Sequence, residues 1–170
     1  MCYKLKLNKK LIALALMCFV SFLQAQENVS YQTPHDNILE LADATAAPVL
    51  RMDSNSNKML FLSRSNFKTI SELSETEMRL GGLRINPVTN IGSRQNYYTD
   101  IKIRNGRNSD NVAVKGLPAN GRYAYFSFSP DETKVAFTNT TETGVELWVL
   151  DFNTAMASKI TDATINANMR

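Results

Sequence analysis

The residues that could do chemistry are few and far apart. His35 is the only histidine of the 170 residues, and it falls in the first turn of a predicted surface helix. No Gly-x-Ser-x-Gly sequence, the turn that presents the nucleophilic serine in many hydrolases, occurs in the chain. A Ser-His-Asp catalyst cannot be assembled from these residues, so we assign no catalytic residue.

Residues 53–57 imitate the start of a calcium-binding loop. Asp53, Asn55 and Asn57 would supply oxygen ligands at positions one, three and five. However, Lys58 stands where such a loop needs glycine, and Arg64 stands where it needs a bidentate glutamate. The segment is better interpreted as a hairpin turn, and the sequence supports neither a metal site nor a cofactor site.

The elements that must position any site are clearest in residues 123–161. Two alternating runs, 123–128 and 134–139, flank Ser129-Pro130-Asp131-Glu132, a tight-turn sequence, and predict a hairpin. Residues 145–150 are largely apolar on both faces, which is typical of a central strand. A fourth strand near 157–161 would complete four antiparallel strands in about 40 residues, the length of one propeller blade. Trp148 is better interpreted as packing between blades than as stacking on a ligand.

A partial copy of this pattern lies upstream. Aligning Lys58 with Lys134, a shift of 76 residues (134 − 58), keeps apolar and turn positions in step. The shift places Leu50, Met52, Asn55, Met59 and Phe61 on Phe126, Phe128, Asp131, Val135 and Phe137. Two unrelated hairpins are the alternative, since alternation is common in β proteins, but the coinciding turns favour an internal repeat.

The first 25 residues have the parts of a secretory signal peptide. Four lysines precede an apolar run at residues 11–23 that is too short for a comfortable membrane span, and Ala25 offers a small residue before a cut at Gln26. Cys18 lacks a preceding small residue, which argues against lipidation; an uncleaved signal anchor is the other alternative. We expect an exported protein, periplasmic or extracellular, with no stable membrane anchor after cleavage.

Setting this segment aside changes the composition. Residues 26–170 keep 15 of the 19 basic residues and all 16 acidic ones, and both cysteines, Cys2 and Cys18, are lost with the signal. A disulfide is therefore excluded. Tyrosines and arginines could form a nucleic-acid surface, but acids are interspersed and the charge is near zero, so we expect solvated strand faces and no nucleic-acid partner. These residues are Arg79, Arg84, Arg94, Arg104, Arg107, Tyr97 and Tyr98.

Two helices are predicted outside the sheets. Thr33 as N-cap and Pro34 at the first helical position begin one helix, with Ile38, Leu41 and Ala42 as its buried stripe. Residues 74–77 match a capping box that opens a second helix closed by Gly81-Gly82. Further strands are predicted at 83–85, 97–104 and 112–115. The fold class is all-β: a partial β-propeller of two to three blades with short helical insertions, at residues 26–170.

Six segments also resemble a known family: Tyr31-Gln-Thr-Pro-His-Asp-Asn-Ile-Leu-Glu-Leu-Ala-Asp43, Pro48-Val-Leu50, Thr69-Ile-Ser-Glu-Leu73, Leu83-Arg-Ile-Asn-Pro-Val-Thr-Asn90, Ser93-Arg-Gln-Asn-Tyr-Tyr98 and Phe128-Ser-Pro-Asp131. They are similar to exported bacterial serine peptidases of the prolyl oligopeptidase family, in particular its glutamyl-endopeptidase-like branch. The resemblance covers nearly all of residues 31–169. It implies an N-terminal β-propeller that would be followed by an α/β-hydrolase domain bearing Ser, Asp and His.

The resemblance implies a function only in partnership. In the family the propeller covers the active site and filters or positions peptide substrate, so the implied partners are a C-terminal α/β-hydrolase domain and a peptide. No position here matches a catalytic residue of the family, and we expect an incomplete propeller domain without peptidase activity of its own. The alternative is a non-enzymatic TolB-like periplasmic module that binds peptide or protein along exposed strand edges.

Overall fold

The computed structural model describes residues 32–168, and the predicted signal peptide lies outside them. The chain divides between Ala42 and Asp43 into two compact units. The first unit contains most of helix α1 (Asp36–Asp43). The backbone carbonyl of His35 accepts the N–H groups of Ile38 and Leu39 at 2.8 and 3.2 Å, so the helix begins after the predicted Thr33 and Pro34.

The predicted buried stripe of α1 is wrong. Ile38 and Leu41 are 59% and 78% exposed, and none of the eight residues of α1 is buried. The apolar spacing does give the helix one apolar face, but spacing alone does not provide a surface for that face to pack against.

The second unit contains two four-stranded antiparallel sheets with the same strand order. In each, the strands lie side by side in the order in which they occur along the chain, although three strands of a separate sheet come between the second and third strands of the first sheet. The first sheet consists of β1 (Val49–Met52), β2 (Lys58–Ser63), β6 (Asp100–Asn105) and β7 (Val112–Ala113). The second consists of β8 (Tyr123–Phe128), β9 (Lys134–Thr140), β10 (Val145–Asp151) and β11 (Met156–Lys159). The predicted four-strand unit, with the strand of Trp148 inside the sheet, is confirmed.

The turns of the two leading hairpins coincide at the 76-residue shift. Met52 lies opposite Met59 in one, and Phe128 lies opposite Val135 in the other. In each turn the first N–H donates to the sixth carbonyl: Asp53 to Lys58 at 3.1 Å and Ser129 to Lys134 at 2.9 Å. The fourth residues, Ser56 and Glu132, both have positive φ, 56° and 53°. The predicted correspondence of turn positions is therefore confirmed in backbone geometry.

The two sheets bury opposite faces. One apolar cluster contains Leu60, Leu62, Ile101 and Ile103 from the first sheet, and Val135, Phe137, Trp148 and Leu150 from the second. The 76-residue shift carries Leu60 to Ala136, not to Val135. The face that the second sheet buries in the cluster therefore corresponds to the face that the first sheet turns away from it. The two sheets thus pack front to back, which means that one face of the first sheet meets the opposite face of the second.

An insertion between β2 and β6 forms its own elements. These are helix α2 (Ile70–Leu73) and a three-stranded sheet of β3 (Met78–Leu80), β4 (Leu83–Asn86) and β5 (Ile91–Gly92). Thr69 and Glu72 form the capping box of α2, with reciprocal side-chain to backbone hydrogen bonds. Among the described residues, no helix is long and apolar enough to cross a membrane.

The helix predicted to begin at residues 74–77 and end at Gly81-Gly82 is wrong. Met78 and Leu80 pair with Ile85 and Leu83 across a two-residue turn. Both glycines of that turn have positive φ, 53° and 92°, as the tightest hairpin turns require. The competing Thr69–Glu72 box caps the helix instead, and the glycines close a hairpin.

Candidate functional site

A cleft of about 1540 Å³ lies between the insertion and the second sheet. Its walls come from α2 and the loops around it, from the approach to β8, and from the ends of β9 and β10. Its lining includes Glu75, Arg122, Glu146 and Trp148, whose contacts are described below. Charges of both signs line it, so the cleft has no single electrostatic preference.

Arg122 holds the two walls together. Its Nε donates to the carbonyl of Thr140 at 3.2 Å and its Nη2 to that of Thr141 at 3.1 Å. Its Nη1 donates to the carboxylate of Glu75, in the insertion. The guanidinium also lies over the ring of Tyr97, 5.0 Å from its centroid. Every nitrogen of the guanidinium is therefore engaged in joining the insertion to the second sheet.

Both carboxylate oxygens of Glu75 accept hydrogen bonds in the same arrangement. Its second carboxylate oxygen accepts a hydrogen bond from Asn86 Nδ2 at 2.9 Å, while Asn86 Oδ1 accepts the N–H groups of Val88 and Thr89. The carboxylate thus ties β4 and the turn after it to Arg122. Thr89 also lines the cleft; its hydroxyl is buried and has no hydrogen-bond partner among the described residues.

Glu146 occupies the other wall. Its Oε2 accepts hydrogen bonds from Trp148 Nε1 at 2.8 Å and from Asn139 Nδ2 at 3.0 Å, and Lys159 Nζ lies 3.6 Å from Oε1. Burial acts to raise the pKa of Glu146, but the two hydrogen bonds and the lysine outweigh it and hold the pKa below its usual value. Glu146 is therefore a fixed anion, not a proton donor.

Trp148 is a packing residue, as the sequence predicted. It is 9% exposed and belongs to the apolar cluster between the sheets, where its ring stacks near Phe137 at 6.5 Å between centroids. Its only polar atom is satisfied by Glu146. The indole also lines the cleft, but its hydrogen-bond donor is not available to a ligand.

Four of the arginines that were weighed as a nucleic-acid-binding surface make local contacts at separate places. Arg79, Arg84 and Arg94 surround the carboxylate of Glu77 at 2.8, 3.1 and 3.7 Å. Hydrogen bonds from Arg79 and Ser93, with the charge of Arg84, lower the pKa of Glu77 to about 2. Elsewhere, Arg104 covers the ring of Phe61 at 5.1 Å, and Tyr98 packs edge-on against Phe126.

The remaining sequence candidates hold no ligand-binding geometry. Asp53 Oδ1 accepts the N–H of Asn57 at 2.7 Å, a turn contact, and the segment forms the hairpin turn preferred over a calcium loop. His35 lies in the first unit, in the turn before α1, where its Nδ1 accepts a hydrogen bond from the backbone N–H of Asn37. The described residues contain no group of three or more His, Cys, Asp or Glu placed to hold a metal ion.

Two carboxylates of the cleft are held by specific partners. Glu75 accepts hydrogen bonds from Arg122 and Asn86, and Glu146 accepts them from Trp148 and Asn139. Sequence analysis did not single out Arg122, Glu75 or Glu146 as a group. Their partners lie up to 47 residues away along the chain, and no motif spacing marks such long-range contacts.

Comparisons with known proteins find relatives among plant peptidases. The chain is 29% identical over 139 residues to "Probable glutamyl endopeptidase, chloroplastic" of Oryza sativa subsp. japonica. The aligned region covers 76% of this chain and 15% of that protein. It is 29% identical over 136 residues to the protein of the same name from Arabidopsis thaliana, covering 75% and 14%. The chain thus spans about 15% of the length of these relatives. No protein-family model and no solved structure matches it.

Proposed function

We propose that residues 26–170 are the N-terminal β-propeller portion of an exported serine peptidase of the prolyl oligopeptidase family, in its glutamyl-endopeptidase-like branch. The observation that carries the proposal is the similarity to glutamyl endopeptidases, which extends over three quarters of this chain and so includes the insertion between β2 and β6. An insertion of this kind is specific to a family, whereas alternating strands are not. The relatives are therefore a better guide to function than the β content.

The packing of the two sheets supports the propeller part of the proposal. The repeating unit of a propeller is one four-stranded antiparallel sheet, and successive sheets stack front to back. Within residues 32–168, front-to-back packing leaves side chains on one face at each end of the stack partly exposed: Leu50 and Met52 on the β1–β2 face, and Ala136 and Val149 on the β9–β10 face. In a longer protein, further blades would cover both faces.

The proposed role is to gate and position peptide substrate for a separate α/β-hydrolase domain. This role fits a region with a cleft that charged, polar and apolar side chains line, and with no histidine in residues 43–168. The N-terminal pattern of four lysines, an apolar run and Ala25 supports export to the periplasm or beyond. Peptide-bond hydrolysis would then belong to the partner domain and not to this chain.

The experiment that tests the proposal has two parts. The genomic sequence that follows the codon for Arg170 should encode, in frame, further four-stranded units and a Gly-x-Ser-x-Gly motif. The purified chain should not hydrolyse Glu-containing or Pro-containing chromogenic peptides. Unrelated sequence after Arg170 would contradict the peptidase assignment, and hydrolysis abolished by a serine-directed inhibitor would contradict the assigned lack of activity.

The cleft favours a second candidate, a non-enzymatic module that binds peptide or protein. Charged side chains of both signs line the cleft, together with Thr89, whose buried hydroxyl has no hydrogen-bond partner among the described residues. Isothermal titration with a random-sequence peptide pool, comparing the chain with a Thr89→Val variant, separates the candidates. Saturable binding weakened by the substitution, together with unrelated sequence after Arg170, would favour the module.

A further inference from the structure

The hairpin of β3 and β4 in the insertion ends in an exposed, apolar tip. Leu80 and Leu83 are 52% and 54% exposed, and they lie opposite each other in the strand register, so their side chains share one face of the hairpin. Between them, a side-chain carbon at Gly81 or Gly82 would meet no atom within 4 Å beyond the adjoining residues. We call residues 80–83 the tip. The open space around its glycines shows that it projects from the insertion.

A group of arginines lies directly behind the tip. Arg79 and Arg84 are opposite each other, one residue back along each strand, which is a rise of about 3.4 Å. Like charges in such a pair repel each other, and the Glu77 carboxylate bridges them at 2.8 and 3.1 Å and lies 3.7 Å from Arg94. We call the three arginines the collar. One carboxylate shared by three arginines leaves the collar with an excess of two positive charges.

The insertion concentrates both properties of this hairpin. Residues 64–99 contain five basic and three acidic residues, whereas the other described residues contain nine basic and twelve acidic ones. The insertion is 36 of the 137 described residues, yet it contains seven of their fourteen exposed large apolar side chains. Positive charge and exposed apolar surface therefore occur together in one part of the molecule that is otherwise acidic.

We propose that the tip inserts into the headgroup region of an anionic lipid bilayer, with the collar at the level of the lipid phosphates. Binding of this kind depends on the apolar area that enters the interface and on the attraction of basic residues to anionic lipids. Each arginine near such a surface contributes about a fivefold factor in affinity. The side chains of Arg79 and Arg94 are 70% and 72% exposed, so both can reach lipid phosphates.

The shape of the tip favours a lipid surface over a protein. A specific protein interface buries about 800 Å² on each partner, which is more than a projecting four-residue tip offers, whereas a bilayer accepts a convex apolar tip without a matching groove. None of the tip or collar residues belongs to the two sheet faces that further blades would cover. The proposal is therefore the same whether or not the chain continues after Arg170.

The test places a fluorescent probe in the tip. Leu83→Trp is the tip probe, and Ile160→Trp is the matched control, at a site 57% exposed outside the insertion. Trp148, which is 9% exposed, is a constant background in both. The chain is expressed from its complete sequence and mixed with vesicles of phosphatidylcholine, alone or with phosphatidylglycerol, whose brominated acyl chains quench tryptophan that enters the bilayer.

The proposal predicts that the tip probe alone responds. With phosphatidylglycerol present, the emission of Leu83→Trp should shift to shorter wavelength and be quenched, while the emission of Ile160→Trp should stay unchanged. Phosphatidylcholine alone should give a much weaker response. Because quenching reports on the probe itself, attachment of the chain to the vesicle through another segment does not produce it.

A charge-matched pair of variants tests the collar. In the Leu83→Trp background, Arg79→Gln with Arg94→Gln should lower the affinity for the phosphatidylglycerol vesicles about 25-fold, two arginines at about fivefold each. Arg107→Gln with Lys115→Gln removes the same charge from two exposed sites outside the insertion and should have a much smaller effect. Equal losses in the two pairs would show that net charge, and not the collar, attracts the chain.

Two other results would overturn the proposal. If the emission of Leu83→Trp is neither shifted nor quenched by the anionic vesicles, or if Ile160→Trp is quenched to the same extent, the tip does not insert. If polyglutamate shifts the emission of Leu83→Trp and vesicles do not, the hairpin is a surface for an acidic protein instead of a lipid.

Discussion

The hairpins at residues 49–63 and 123–140 share a turn but differ in what they bury. Both turns place the same hydrogen bonds and the same positive φ at positions related by 76 residues. Yet Phe137 is fully buried while its equivalent, Phe61, is only partly so. Equivalent residues therefore have different neighbours, because each sheet meets the other with the opposite face.

This difference separates two kinds of information. Turn chemistry and strand alternation are local, and both copies keep them. Which face of a sheet is buried depends on the side from which the neighbouring sheet approaches. The order in which the sheets stack sets that side. A molecule in which equivalent faces packed against each other would have a two-fold arrangement that ends with two sheets, whereas front-to-back packing extends to further units.

The largest expected effect is at the equivalent phenylalanines. Phe137 packs against Phe126 at 5.4 Å and Tyr123 at 5.6 Å between ring centroids, so Phe137→Ala should lower the free energy of unfolding by about 3–5 kcal/mol. Phe61→Ala should cost about 1 kcal/mol, since it removes a half-exposed ring and its contact with Arg104. Urea denaturation of both variants measures the two losses in free energy of unfolding. Equal losses would contradict the burial of opposite faces in the two sheets.

The next effect concerns the insertion, which only the first sheet carries. Arg122→Met removes the bonds to Thr140 and Thr141 and leaves the Glu75 carboxylate without its cation, so we expect a loss of about 2–3 kcal/mol. Adding Glu75→Gln should recover part of that loss. Arg79→Met is the control, because its exposed pair with Glu77 should contribute below about 1 kcal/mol. A similar loss in the control would show that Arg122 does not join the insertion to the second sheet.

A smaller effect distinguishes equivalent lysines in the two turns. Lys58 Nζ donates to the carbonyl of Glu132 at 2.7 Å, and the carboxylate of Glu132 accepts from Ser54. Lys58→Ala should cost about 0.5–1.5 kcal/mol. The side chain of Lys134, its equivalent, is exposed and makes no such hydrogen bond among the described residues, so Lys134→Ala should leave thermal stability unchanged. Destabilisation by Lys134→Ala comparable to Lys58→Ala would remove the distinction.

The smallest effect is a difference in acid sensitivity between the turns. Hydrogen bonds from Ser129 and Thr133 lower the pKa of Asp131 from 3.8 to about 2, while the equivalent position in the first turn is Asn55. The stabilisation from Asp131 is present above pH 4 and lost as the pH falls towards 2, because the folded pKa lies below the unfolded one. Asp131→Asn should abolish that part of the pH dependence, measured as unfolding midpoints at each pH. An unchanged profile in the variant would exclude Asp131 as its source.

The strands and turns could be predicted from the sequence because their signals are local. The run from Tyr123 to Lys159 and the turn at residues 129–134 follow from alternation and from a turn sequence that few other structures use. The second helix could not, because residues 69–72 and 74–77 both match a capping box. Pairing of Met78–Leu80 with the strand after Gly81-Gly82 decides between them, and pairing is not a local property.

The site was harder to predict than the fold. Arg122 follows Gly121 in a loop with no motif, and its partners lie in the insertion and at the end of β9. Glu146 looked like the polar position of an alternating strand, but the structure places Asn139, Trp148 and Lys159 around it. The contacts of Arg122 with Glu75 form only when the insertion meets the second sheet, and those of Glu146 only when β9, β10 and β11 pair. Residue type and spacing do not identify either group.

The central claim is the reversal of buried faces, and cysteine labelling tests it most directly. In a background with Cys2→Ser and Cys18→Ser, single cysteines at Met59, Leu60, Val135 and Ala136 are labelled with a thiol reagent at a concentration where the chain is monomeric. The structure predicts fast labelling at Met59 and Ala136 and slow labelling at Leu60 and Val135, since the last two are fully buried. Matching rates at the equivalent positions Met59 and Val135 would contradict front-to-back packing and the propeller proposal built on it.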